Sequence, residues 1–281
     1  MIIKFAHKLL LAIAITFLAS FQSYALNVEI IPAEVIPGDI FLIKIQTDEP
    51  DPVMAEFLGS KINFYPLNNG YSIALVPVDI KTPPKKYSVI IAQGDREQPV
   101  KINVKPHKFK TTKLTLPKEK VTLSPENQKR AVREAERLKG IWPQNTSKIW
   151  NGRFIRPTGT EVSTVFGVRR IMNGKKTSVH RGIDFRGKTG APVKAINSGT
   201  VVLADNLFFG GNTLIVNHGM GLYSVYMHLS KFNVSKGDKV SKEQIVGLVG
   251  SSGRVTGPHL HMSVKLNSIS VNPESLFKLG L

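Results

Sequence analysis

Beyond residue 25 this chain is a succession of short β-branched and aromatic runs broken by turn signals, and long helical periodicity is missing outside one stretch. That punctuation restricts it to a mainly β architecture. Between residues 26 and 107 the runs fall at 28–31, 40–45, 62–65, 71–76, 87–91 and 100–104. Pro37-Gly38-Asp39, Asn68-Asn69-Gly70 and Pro83-Pro84 separate them. The spacing predicts a small immunoglobulin-like β domain over 26–107. It holds no His before His107 and no paired carboxylates with a partner, so it reads as a binding, positioning or inhibitory module.

Residues 108–150 form a basic connector, with 11 Lys/Arg against 4 acidic residues. Its one helix is marked by Ser124 as N-cap, Pro125 in the first turn and Gly140 at the C-terminal cap. Ala131, Val132, Ala135 and Leu138 would give it a narrow apolar stripe. From 151 to 281 the β pattern returns, with runs at 193–195, 199–204, 213–217, 223–227, 245–249 and 261–265. Gly-rich turns at 209–212 and 218–221 join them, which predicts an antiparallel β domain with a groove between strands.

Residues 1–25 read as an export signal rather than as fold. Lys4 and Lys8 precede an apolar run over 9–21, and Ser23-Tyr24-Ala25 offers a small-x-small cleavage site, so the mature chain is expected to begin at Leu26. A run of this length is too short to span a bilayer, which needs about 20 residues. No Cys follows it, so no lipid anchor is expected, and the short run with its cleavage site leaves no integral membrane anchor expected after cleavage. The chain has no Cys at all, so a metal site must be built from His, Asp and Glu.

Charge is distributed unevenly. Residues 26–107 carry 8 basic and 10 acidic side chains, whereas 108–281 carry 28 and 10. The basic part suits anionic polymers of the cell envelope. A nucleic-acid partner is not expected, since no patch interleaves basic residues with stacking aromatics.

Five of the seven His residues lie between 180 and 261. In His180-Arg181-Gly182-Ile183-Asp184, a straight strand would hold His and Asp roughly 13 Å apart. Sharing one ion therefore requires a bend, for which Gly182 supplies a permissive backbone. Taken alone the pattern fits a solvated His and a surface Asp better than a metal site. In Gly257-Pro258-His259-Leu260-His261 the two imidazoles share a face about 6.6 Å apart, with Leu260 facing the other way. In Tyr226-Met227-His228-Leu229, alternation places Tyr226 and His228 on one face. Two His and one Asp make a three-ligand set that leaves a fourth position open on tetrahedral zinc, as catalysis requires.

Several further motifs accompany these: Phe166-Gly167-Val168-Arg169, Phe185 after Asp184, Gly190-Ala191-Pro192-Val193, Gly211-Asn212, His218-Gly219, and Gly253-Arg254-Val255-Thr256 before Gly257. In this order they resemble the lysostaphin/LytM-type zinc metallopeptidases, peptidoglycan endopeptidases, over about residues 160–273. The resemblance implies a peptidase domain over 151–281 with one zinc per chain held by His180, Asp184 and His261. It implies His228 and His259 as the catalytic pair that activates water and steadies the oxyanion. It implies peptide crosslinks of peptidoglycan as substrate, and a location in the periplasm or cell envelope, with release from the cell as the alternative. His218, in a Gly turn, is read as structural, and Glu243-Gln244 departs from the Gly-Gln common in the family. The rival readings are a non-catalytic wall-binding activator of other wall hydrolases and a purely adhesive wall-binding module. Within the enzyme reading, the N-terminal region and connector would cover the groove, with 142–150 as plug.

Overall fold

The computed structural model of this chain describes residues 25–47, 52–67, 69–115, 123–144, 146–174 and 176–281. All but the last residue of the expected export signal lies outside them. Among the described residues no helix is long and apolar enough to cross a membrane. The architecture is mainly β.

The first part of the chain builds two facing sheets. One has the order Val28–Ile31, Ile40–Gln46, Tyr71–Pro77, Tyr65–Pro66; the other has Glu34–Val35, Arg96–Val104, Lys85–Gln93, Val53–Phe57, Ser60–Asn63. Phe41, Ile43, Ile45, Val76, Phe57, Val89, Ile91 and Ile102 meet between them as one core. Lys85–Gln93 alternates exposed and buried residues along most of its length, as a strand with one solvated face must. Ile40–Gln46 and Tyr71–Pro77 do not alternate, and are buried almost throughout.

The second part of the chain explains that difference. Ile40, Leu42, Ile73 and Leu75 turn their outer face into a second core that also contains Phe166, Ile183, Tyr226, Leu260 and Leu276. Burying each such side chain is worth about 1.5–3 kcal/mol relative to exposure. Polar contacts fix the docking: Ser275 Oγ accepts the Ile40 N–H at 3.1 Å, and Asn272 Nδ2 donates to Asp39 Oδ1 at 3.0 Å. Gly38 lies so close to the Phe166 ring that a Cβ would approach within 2.5 Å.

The second part is a ten-stranded antiparallel sheet whose main path runs Val162–Thr164, Ile183–Arg186, His259–Leu266, Leu222–Phe232, Gly211–Gly219, Gly199–Leu207, Lys239–Val240. The connector joins in two ways. Thr111–Leu114 pairs in parallel with Arg169–Met172, a strand the sequence pattern does not announce. The connector helix, Pro125–Lys139, has Ser124 as N-cap and Gly140 as C-cap, as the cap residues predict. Its facing residues differ from the expected stripe: Val132 is 56% exposed and Ala135 is exposed too. Arg130, Ala131, Glu134 and Leu138, spaced 1, 3 and 4 apart, turn toward the sheet instead. Ala131 and Leu138 of the expected stripe thus face the sheet, Leu138 packing on the cluster that holds Trp142 and Tyr223, and ion pairs join them: Arg137 Nη2 lies 2.7 Å from Asp205 Oδ2.

Candidate metal and catalytic centre

Three adjacent strands bring the site together. In their register Asp184 faces His261, and His261 faces Met227. Tyr226, Met262 and Ile183 lie on the opposite face in the core, and Leu260 is fully buried there, as alternation requires. His180 precedes the strand Ile183–Arg186, and the chain bends at Gly182. The bend does not use a left-handed glycine conformation. Gly182 is needed for space: a Cβ there would stand 2.4 Å from the Met262 carbonyl oxygen and 2.7 Å from His261 Nε2.

The result is a tight cluster. Asp184 Oδ1 is 2.9 Å from His180 Nε2 and 2.7 Å from His261 Nδ1, and the two nitrogens are 3.0 Å apart. His180 Nδ1–H donates to the Val165 carbonyl at 2.9 Å, and His261 Nε2 meets Ser263 Oγ at 2.9 Å. With their outer nitrogens so engaged, neutral rings would offer the inner nitrogens as lone-pair donors to an ion, the usual way a protein orients imidazole ligands. Burial pushes the Asp184 carboxyl up, but hydrogen bonding and charge from His180 and His261 outweigh it and hold the carboxyl well below the usual carboxylate range. Burial holds the His261 imidazole below its ordinary value, against the pull of Asp184. One carboxylate and two imidazoles with lone pairs aimed at one point fit a divalent zinc-type ion. His180, Asp184 and His261 could hold such an ion.

His228 and His259 flank this cluster. Their rings lie 4.9 Å apart, and the His228 ring is 6.1 Å from that of His261. His259 Nδ1–H donates to the Gly257 carbonyl at 2.9 Å, and its Nε2 is 3.8 Å from Asp184 Oδ1. His228 Nδ1–H donates to the Ser252 carbonyl at 2.9 Å. Burial pushes the His228 imidazole down to about 4. The expectation that Tyr226 and His228 share a face does not hold. Tyr226 is fully buried, its hydroxyl accepting the Ile196 N–H at 3.0 Å. His228 has φ +64°, in the left-handed region, and the strand pairing shifts register on either side of it. This bulge turns the imidazole to the site face.

His218 lies outside the cluster. It is fully buried, with Nδ1 2.8 Å from the Ser198 carbonyl and Nε2 2.8 Å from Ser224 Oγ. Glu243 has φ +72°, a conformation that suits the glycine it replaces in the family pattern. The proposed plug also reads differently in three dimensions. Trp142 packs edge-on against Tyr223, and Trp150 is buried beside Phe154, so both are core side chains; Asn145 lies outside the described residues. The outer hydrogen-bond and ion-pair partners of the five site residues include Ser163, Val165, Arg170, Ser252, Gly257 and Ser263, all in the second part of the chain.

Sequence reasoning missed Arg170, whose Nη2 lies 3.6 Å from Asp184 Oδ2. Its position beside Arg169 in a short strand gave no signal. It also missed Ser252 and Val165, which act through backbone carbonyls and leave no side-chain signature.

Residues 178–273 match Peptidase family M23. Peptidoglycan DD-endopeptidase ShyA of Vibrio cholerae is 41% identical over 112 residues, 40% of this chain and 26% of that protein. Lysostaphin of Staphylococcus staphylolyticus is 46% identical over 100 residues, 34% of this chain and 21% of that protein. The chain thus spans about a quarter of the length of the curated relatives it matches. A crystal structure described as a putative peptidase M23 from Pseudomonas aeruginosa superposes with a TM-score of 0.67 at 27% identity, covering 86% of this chain and 94% of that one.

Proposed function

Taking as premise that this chain carries an M23 metallopeptidase domain, we propose that it is a zinc-dependent endopeptidase hydrolysing peptide crosslinks of bacterial peptidoglycan. The convergence of His180, Asp184 and His261 beside two further imidazoles is the observation that carries this reading. Zinc, when bound, supplies Lewis acidity that polarises the scissile carbonyl and acidifies water.

The chain's own residues do the rest. Asp184, His180 and His261 would hold the ion, and His228 and His259 flank these three. His228, kept neutral by burial, accepts a proton from the attacking water through Nε2. His259, held by Gly257, directs Nε2 toward the same space and hydrogen-bonds the developing oxyanion. Arg170 lies against the outer oxygen of Asp184 and leaves Oδ1 to face the imidazoles.

The non-catalytic activator reading is weaker, because all three candidate ligands and both helper histidines stand in place. Occlusion by 26–107 gains no support from contacts; that region reads as a wall docked on the peptidase sheet. Anionic envelope polymers remain the proposed partners of the basic part, and export to the cell envelope follows from the substrate.

The test is loss of turbidity and release of amino groups from purified peptidoglycan sacculi, with chelator and zinc add-back. Chelator-sensitive release is expected, and the newly freed amino group, diaminopimelate or glycine, identifies the bond. Turnover that ignores chelator, or none by the zinc-loaded chain, overturns the reading.

A further inference from the structure

His228 is held by a hairpin turn, and that turn is held by the connector helix. The Gly210 carbonyl accepts the His228 N–H at 2.8 Å, and the Ser252 carbonyl accepts its Nδ1–H. Ser252 Oγ in turn accepts the Asn212 N–H at 2.9 Å and donates to the Leu229 carbonyl at 2.8 Å. Asn212 Nδ2 also donates to Leu229, at 3.0 Å, while its Oδ1 accepts Asn206 Nδ2 at 2.9 Å. On the far side of Asn206 stands the helix. Arg130 Nη2 donates to the Asn206 carbonyl at 3.1 Å and to its Oδ1 at 3.2 Å. Glu134 Oε2 accepts the Phe208 N–H at 2.7 Å, and its Oε1 accepts Arg130 Nε at 2.7 Å.

Every amide in this relay has one consistent orientation. Arg130 claims the oxygen of Asn206, which turns its NH2 toward Asn212; that fixes the oxygen of Asn212 and turns its NH2 toward Leu229. The relay ends on the carbonyl of Leu229, next to His228, whose backbone is in the left-handed region, a conformation that a side-chain-bearing residue keeps only where the surroundings over-determine it. His180, Asp184 and His261 lie outside the strand that carries His228, and the outer partners of the two imidazoles are the Val165 carbonyl and the Ser263 hydroxyl.

We infer that Arg130 and Glu134 are positioning residues for His228, so that the connector helix sets proton transfer without setting metal binding. This rests on the hydrolytic reading above. It makes the helix part of the working site and not a spacer.

The test uses the full chain and its Glu134→Ala, Glu134→Gln and Arg130→Ala variants, with Val132→Lys on the exposed helix face as control. Expected for Glu134→Ala is a fall in kcat of about 10- to 100-fold, the size a small misplacement produces, at unchanged KM and unchanged zinc stoichiometry. Glu134→Gln keeps an acceptor for the Phe208 N–H and should recover most of the rate; Val132→Lys should match the parent. Combining Glu134→Ala with Asn212→Ala should cost little more than either alone, because both cut one relay. Amide hydrogen exchange gives a reading that needs no activity: Glu134→Ala should speed exchange at Phe208 and at His228 together. Faster exchange at Phe208 alone, or parental kcat in Glu134→Ala, overturns the inference. If Glu134→Ala does not fold, Arg130→Ala carries the same two readouts, with Glu134→Gln as its near-parental comparison. A zinc-loaded parent chain that hydrolyses no wall would sink the hydrolytic reading instead, and the exchange result would still decide the relay.

Discussion

The two faces of the large sheet both carry buried histidine, and they use it in opposite ways. On the core face, both ring nitrogens of His218 have protein partners, and its Ser224 partner continues the chain to Tyr226. On the other face, His180, His228, His259 and His261 each anchor one ring nitrogen to an outer partner and turn the second inward. Burial alone therefore does not distinguish a working histidine from a structural one. The distinction lies in which lone pairs are left pointing at a common space. His180 and His228 are buried as His218 is, and the hydrogen-bond account is what separates them.

Four perturbations test that contrast. The largest effect is expected at the helper histidines: His228→Ala or His259→Ala should lower kcat about 10²- to 10⁴-fold, the range for a lost general acid or base. Replacing His218 with Asn should leave steady-state hydrolysis near the parental rate and act on stability, read by thermal unfolding.

Acid should act on the core face through His218. Its imidazole is pushed down to about 4 by burial, from an ordinary value of 6.5. The unfolded chain thus takes up a proton between these values while the folded chain does not, and stability falls as pH drops from 6.5 toward 4. The loss due to this one group is about 3 kcal/mol, complete below pH 4. The His218→Asn variant should show a shallower fall of melting temperature over that window; an unchanged slope would place the pH dependence elsewhere.

Gly182→Ala joins the two faces, since its Cβ would meet the Met262 backbone and the His261 ring. A destabilisation of about 1–3 kcal/mol in denaturant unfolding is expected, with weaker zinc affinity. Smallest is the effect of Arg170→Gln, which removes a partly exposed charge from the outer oxygen of Asp184. A change of no more than a few fold in zinc affinity, read by competition with a chelator, is expected.

Truncation bears on the comparison from outside the sheet. Residues 151–281 alone would expose the surface now covered by Ile40, Leu42, Ile73 and Leu75 and would lose the strand Thr111–Leu114. The shortened chain should be less soluble and less stable than the whole. A faster, stable fragment would restore occlusion as an explanation.

Much of this was legible in the sequence. Runs and turn signals marked most of the long strands, and Ser124, Pro125 and Gly140 bounded the connector helix. The HxxxD and HxH spacings picked out the residues that the structure brings together. What escaped has physical reasons. Alternation put His228 with Tyr226, but a single left-handed residue reversed it, and nothing local in Tyr226-Met227-His228-Leu229 announces a bulge. Helical spacing of apolar residues chose Val132 and Ala135, whereas ion pairs and backbone acceptors chose Arg130 and Glu134. Trp142 and Trp150 suggested a plug because sequence does not say which side of a sheet an aromatic will fill. Gly182 was read for its freedom, when its lack of a Cβ was the requirement.

The most direct test of the central claim is zinc stoichiometry across five single Ala variants of the full chain. One ion per chain is predicted for the parent, His228→Ala and His259→Ala, and background levels for His180→Ala, Asp184→Ala and His261→Ala. Zinc retained at full occupancy without His261, or lost without His228, would contradict the division of this site into ligands and proton carriers.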